Sequence, residues 1–284
     1  MAALHLEVLD CGVQIECADE NAHVLLQNIY RSFKRPLKRR HINYQITRGF
    51  FDTLLIGRHG GYPETATSPG DFISKFDKNL IIETQKLRSD LYFVHAAVLA
   101  FRDHAIALVA PSGFGKSTTT WALLHHGFKY LSDELAPIDP RTLRVLPFPR
   151  ALCLKNNPPC DYSLPLDVIA TGRTIHVPTG VLPNATITEP LSLDSILFLR
   201  FIGDGEFPGL KRLGAAESTV RLCTNALNPL AHRDCGLDSA MAIVANARCY
   251  ELLTGDLRST CELVKSLCVQ SFAHAGTRFD SSAL

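Results

Sequence analysis

The residue types with chemical potential concentrate between Ile106 and Glu134. An apolar run, Ile106-Ala107-Leu108-Val109, opens into Ala110-Pro111-Ser112-Gly113-Phe114-Gly115-Lys116-Ser117-Thr118-Thr119; a helical segment follows, then the acidic pair Asp133-Glu134. A glycine-rich turn between a buried strand and a helix suits phosphate binding, because its backbone N–H groups point inward and the helix offers its positive end to an anion. Ser112, Gly113, Phe114 and Gly115 are expected to wrap the phosphates of a nucleotide, with Thr118 continuing the cradle into the helix. Lys116 would reach the terminal phosphates and Ser117 would hold Mg²⁺. Glycine is needed at 113 and 115 because the turn demands backbone angles that a side chain forbids and because phosphates approach closely. The usual pattern begins with glycine, and Ala110 stands there, so the strict form fails by one methyl group. An ordinary strand-turn-helix connection is the competing reading. The context argues against it: residues 105–109 are continuously apolar, and residues 118–126 carry Trp121, Leu123 and Leu124 before Gly127 stops them.

A short helix separates Lys116 from the predicted strand Lys129 to Leu135, which carries Asp133 and Glu134. An aspartate there can hold Mg²⁺ or its water shell, and a second carboxylate can take a proton from an attacking hydroxyl. A solvated strand end would explain the pair without chemistry. His95 interrupts the apolar run Leu91 to Leu99, and the predicted strands 92–100 and 104–110 meet at Arg102-Asp103, which carries His95 toward the glycine turn. By itself a lone histidine in an apolar strand reads as a satisfied core residue. His232-Arg233-Asp234 imitates the catalytic loop of eukaryotic-type protein kinases, but Ser239 stands where that motif needs asparagine, so it reads as a loop between helices.

The elements that must position these groups fall into three stretches. Residues 1–88 read as a small N-terminal α+β module. Leu4 to Leu9 and Val13 to Cys17 alternate like strands, and Asn21 to Phe33 is helical. Tyr44 to Thr47 and Phe51 to Ile56 follow as strands joined at Arg48-Gly49; the glycine- and proline-rich 60–70 stretch reads as a flexible connection. Between these lies a basic run, Lys34, Arg35, Lys38, Arg39 and Arg40, read as a solvated loop or a docking patch for an acidic partner. Phe72 to Leu87 has helical spacing with Asp71 as its predicted N-cap. Residues 89–270 form the second unit, with strands at 193–202 and 249–253 and helices at 215–227, 237–247 and 257–270. The tail 271–284 has little to bury and reads as disordered.

A net charge of +1 gives no field that would favour nucleic acid or a membrane surface, and no apolar run reaches the roughly 18 to 20 residues that cross a bilayer. The nine cysteines lack C-x-x-C spacing and no signal peptide is visible, so a reducing, cytoplasmic setting with free thiols is expected.

Several segments together resemble the HPr kinase/phosphorylase superfamily, most of all the HPr-kinase-related kinases of peptide-modification gene clusters. They are Val94-His95-Ala96-Ala97-Val98, Ala110 to Thr118, Leu131 to Pro140, Pro147-Phe148-Pro149-Arg150, Leu154-Lys155-Asn156, Asn225-Ala226-Leu227-Asn228 and Cys249-Tyr250-Glu251-Leu252. The resemblance covers about residues 88 to 268; the N-terminal module matches only in layout. It implies an α/β fold, a P-loop kinase core of the HPr kinase/phosphoenolpyruvate carboxykinase type, and ATP-dependent phosphorylation of a serine hydroxyl. Carried over by position, His95 stands beside the phosphates, Lys116 and Ser117 take the phosphate and metal positions, and Asp133-Glu134 replaces an Asp-Asp pair, leaving open which is the base. A cationic clamp from outside the loop is wanted, for which Arg150 and Arg173 are candidates, and His176 lies near the family's substrate side. The implied activity is transfer of the γ-phosphoryl group of ATP, with Mg²⁺, to a hydroxyl of a peptide, protein or small molecule. The alternatives are a nucleotide-gated binding protein that hydrolyses ATP slowly and, less favoured, a metabolic carboxykinase. The family's oligomers imply self-association; neither the acceptor nor a reverse phosphorylase reaction is readable.

Overall fold

Alternation of apolar and polar residues at the start of the chain dictates strands with one buried face. In the computed structural model, which describes residues 2–36, 39 and 41–275 and side chains only as far as 270, β1 (Ala2–Val8) and β2 (Cys11–Cys17) form an antiparallel hairpin. The helix α1 (Glu20–Ile29) starts at Asp19, whose carboxylate accepts the Ala22 N–H at 2.8 Å. It returns the chain so that β3 (Ile42–Arg48) pairs parallel with β2, and β4 (Leu54–Arg58) and β5 (Glu64–Ala66) complete a five-stranded sheet in sequence order. Two expectations change here. Part of the stretch read as a flexible connection is β5, paired with β4. Phe51 and Asp52 form a turn with φ of 54° and 55° rather than opening a strand. Of the basic run, Lys38 and Arg40 lie outside the described residues.

The next element is α2 (Pro69–Leu87), two turns of whose apolar residues, Phe72, Ile73, Phe76 and Leu80, face the first sheet's core. Its N-cap is Ser68, not Asp71. The Ser68 hydroxyl accepts the Asp71 N–H, and the Asp71 carboxylate accepts the Thr67 N–H at 3.0 Å, one residue before the cap. Leu91, Phe93, Leu135, Phe148 and Ala151 join the same core, so its packing continues past residue 88.

The second sheet is built from β6 (Tyr92–Val94), β7 (Ala96–Phe101) and β8 (His104–Val109), then α3 (Lys116–His125), β9 (Lys129–Ser132), β10 (Ala136–Asp139) and β11 (Arg144–Val145). After a small three-stranded sheet of β12 (Leu152–Leu154), β13 (Ile169–Ala170) and β14 (Ile175–Val177), it resumes with β15 (Leu191–Phe201), β16 (Gly209–Arg212), α4 (Ala215–Thr224), α5 (Leu237–Asn246), β17 (Arg248–Thr254) and α6 (Leu257–Ala275). The order is β6-β10-β11-β15-β8-β7-β9, with β17 also beside β15 and β16 beside β17. Only β15 with β8 and β15 with β17 pair parallel in this sheet.

The central strands read as unbroken apolar runs because both faces are covered. Val98, Ala107, Val109 and Ile196 pack toward α4 and α5, whereas Leu99, Ile106, Leu108 and Leu197 pack toward Trp121 of α3 and Val264 of α6. Each such valine, leucine or isoleucine contributes about 1.5–3 kcal/mol on burial, so the sheet fixes where β8 ends and the glycine turn begins. The last helix runs to Ala275, beyond the expected start of a disordered tail; residues 276–284 lie outside the described residues. The result is a mixed α/β protein with several sheets, and among the described residues no helix is long and apolar enough to cross a membrane.

Candidate active site

The glycine turn leaves β8 at Ala110 and feeds α3 at Lys116. Gly113 and Gly115 sit at φ of 93° and 82°, the left-handed region where a side chain is strained, and Gly115 is the N-cap of α3. No atom lies within 4 Å of the place a Cβ would take on Gly113. The N–H groups of α3's first turn are available to an anion.

Lys116 is 6% exposed, and its ammonium donates to the carbonyls of Ala110 at 2.7 Å and Pro111 at 3.4 Å. His95 Nε2 stands 3.3 Å from the same Nζ. The register explains this meeting: Ala96 pairs with Val109, so the residue before β7 lies beside the residue after β8. His95 occupies a break between β6 and β7 rather than a continuous strand, and its N–H donates to the Asn225 carbonyl at 2.8 Å. The Asn-Ala-Leu-Asn segment holds that break from the other side. Leu227 N–H donates to the Phe93 carbonyl, the Phe93 N–H donates to Asn228 Oδ1, and Asn228 Nδ2 donates to the Leu91 carbonyl. His232 also meets the Leu91 carbonyl at 3.1 Å, so the protein-kinase look-alike serves structure. Burial first, then the nearby Lys116 and Lys155 charges, push the His95 pKa down to about 4, leaving the ring neutral at pH 7.

Asp133 and Glu134 lie just past the end of β9, in the bend before β10, rather than within a strand. Asp133 is fully buried; its Oδ2 accepts the Cys153 N–H at 2.8 Å, while Oδ1 has no partner. Burial, reinforced by the Glu134 charge, raises the Asp133 pKa, and the Cys153 N–H, the Ser117 hydroxyl and Lys116 oppose that rise. Lys116 in turn is lowered by burial, against the pull of Asp133 and Glu134. Ser117, Lys116, Asp133 and His95 thus converge at the mouth of one turn. An orphaned buried carboxylate oxygen beside a serine hydroxyl fits a divalent cation whose other ligands are phosphate oxygens and water. Among the described residues no group of three or more His, Cys, Asp or Glu is placed to hold a metal ion.

A cleft of about 570 Å³ opens beside this centre, lined by His95, Glu134, Arg150, Lys155, Arg173 and His176 on one side and by α2 on the other. α2 can close against the β13–β14 turn because residue 70 is glycine: a Cβ there would meet the Thr171 carbonyl oxygen at 2.8 Å. Arg150 is 3% exposed and its guanidinium is paired with Asp77 of α2, which also accepts the Tyr30 hydroxyl. Its charge is therefore already met. Lys155, which follows β12, is the cation that reaches the loop, donating to Ser112 Oγ at 2.8 Å. Sequence reasoning had placed Leu154-Lys155-Asn156 among the resembling segments without giving Lys155 a role, and it had missed Asp77 and Lys78 altogether. Helical spacing could have shown that Ser74, Asp77, Lys78 and Ile81 share a face; nothing local says what that face meets.

The sequence matches no family model and no curated protein. Among solved structures, the Hpr(Ser) kinase/phosphatase from Coxiella burnetii is similar at 12% identity, over 65% of this chain and 98% of that chain, with a TM-score of 0.36. A likeness of that size says nothing about chemistry, which here rests on the geometry above.

Proposed function

We propose that the protein is an ATP- and Mg²⁺-dependent kinase with a P-loop core of the HPr kinase/phosphoenolpyruvate carboxykinase type, transferring the γ-phosphoryl group to a hydroxyl. The observation that carries this reading is the junction of a left-handed glycine turn, a buried lysine at its first helical residue, and a buried aspartate with an unpartnered oxygen. Ser112, Gly113, Phe114, Gly115 and Thr118 bind the nucleotide's phosphates, and Lys116 exchanges its carbonyl partners for the terminal phosphates. Ser117 and Asp133 would hold Mg²⁺, which when bound supplies positive charge against the oxygens of the transferring group.

In the transfer, the acceptor oxygen forms a bond to the γ-phosphorus while the bond to the bridging β–γ oxygen breaks and ADP leaves with that electron pair. The hydroxyl proton goes to a carboxylate. Glu134 suits this role better than Asp133, because it is half-buried and faces the cleft whereas Asp133 is fully buried against Cys153 and Ser117. Lys155 acts as the cation from outside the loop, and Arg150, in the cleft wall, is held by Asp77. A neutral His95 accepts a hydrogen bond from Lys116 and orients it. Nine free thiols suit a reducing, cytoplasmic compartment. On this reading the kinase core runs from about residue 89 to 270, and its Leu91, Phe93, Leu135, Phe148 and Ala151 also pack into the core of the N-terminal module.

Lys116→Ala tests the reading directly. Transfer of label from γ-labelled ATP in the presence of Mg²⁺ should disappear while the melting temperature stays near that of the parent protein; full residual transfer would remove the assignment. Release of labelled phosphate without any labelled acceptor would favour a nucleotide-gated ATPase instead.

A further inference from the structure

The cleft beside the glycine turn contains more binding chemistry than phosphoryl transfer uses. Among the described residues, Lys78 of α2 and Arg173 of the β13–β14 turn take part in no ion pair, although both line it. Two nearly fully buried groups in its wall also keep an unused polar atom: Arg150 at Nε and His176 at Nδ1. Beside these groups lie apolar surfaces: Ile81, with Ile82 at 39% and Leu227 at 43% exposure. The reaction side of the same cleft carries Glu134 and His95.

We infer that this cleft is the acceptor site and that it takes a small hydroxylated compound bearing a carboxylate or a phosphate. Lys78 and Arg173 hold the anionic group, and the apolar body lies on Ile81, Ile82 and Leu227. The hydroxyl then faces Glu134, which takes its proton as the oxygen adds to the γ-phosphorus and ADP departs. A volume of about 570 Å³ is that of a small-molecule site. This assignment rests on the reading of the glycine turn as the ATP site.

The test is calorimetry on the full chain. Uptake of a non-hydrolysable ATP analogue with Mg²⁺ is measured first. Three matched probes are then titrated into the loaded protein: 3-phenyllactate, 2-hydroxy-3-phenylpropyl phosphate and the neutral 3-phenylpropane-1,2-diol. At least one anion should bind about tenfold tighter than the diol, the yield of one charge-assisted contact, and the two anionic arms decide between carboxylate and phosphate. Arg173→Gln and Lys78→Gln should each erode that preference by about threefold or more, with folding checked by melting temperature. Equal binding of all three probes, or an anion preference untouched in both variants, overturns the acceptor assignment while leaving the kinase reading in place. No uptake of the nucleotide analogue overturns both.

Discussion

The glycine turn and the cleft beside it face each other across Lys116, yet they are made differently. The turn is a single stretch, residues 110–118, whose binding groups are backbone N–H donors aimed by two left-handed glycines and one helix start. The cleft draws on α2, the break at His95, the bend at Glu134, the segment 150–155 and the β13–β14 turn, and its binding groups are side chains. Backbone dipoles in such a turn suit a phosphate group of any nucleotide. Side chains from separate places in the chain suit something more particular, and their positions depend on ion pairs such as that between Arg150 and Asp77.

That contrast can be broken at its most sensitive point. Asp133→Asn keeps the hydrogen bond to Cys153 N–H but removes a buried charge beside Glu134. Magnesium-dependent phosphoryl transfer should fall by at least about a hundredfold, since several kcal/mol of charge stabilisation is lost. Stability of the nucleotide-free protein should instead rise by about 1 kcal/mol. Measured together by label transfer and thermal melting, opposite signs support a site held at a cost to the fold; a drop in both quantities assigns Asp133 to structure.

The cleft wall is tested next by Asp77→Ala, which strands the Arg150 guanidinium and the Tyr30 hydroxyl without their partner. Because the arginine is buried, the expected loss is about 3–5 kcal/mol in denaturant unfolding. A loss within the ~0–1 kcal/mol of an exposed pair would mean that the wall does not depend on this contact.

The smallest effect is a pH slope. Burial, then the Arg150 charge, push the His176 pKa down to about 3, so the folded protein refuses a proton that the unfolded chain takes near 6.5. The stability this provides is complete above pH 6.5 and is lost as pH falls toward 3. His176→Gln should flatten part of that decline in urea midpoints measured between pH 7 and 4; an unchanged slope would assign the decline to other buried groups, such as His95.

Reading from sequence succeeded where neighbours along the chain do the work. The strand-turn-helix order around Gly113, the hairpin that carries His95 back to Ala110, and α2's buried face all follow from local periodicity and turn chemistry. It slipped at boundaries set by a competing local bond: Ser68 rather than Asp71 caps α2 because the aspartate is occupied by Thr67 and Lys75. It also missed β5, a strand of three residues whose existence depends on β4 beside it.

What the chain order alone determined is the glycine-turn half of the proposed site, because every group in it lies within one turn and one helix start, and their spacing is the geometry. The tertiary structure alone decided that Asp133 is buried with one oxygen free, that Lys155 rather than Arg150 reaches Ser112, and that α2 from the first module closes a cleft over the centre. These depend on burial and on pairings between residues far apart in sequence, such as Asp77 with Arg150, and no local pattern records which distant partner a charge will find.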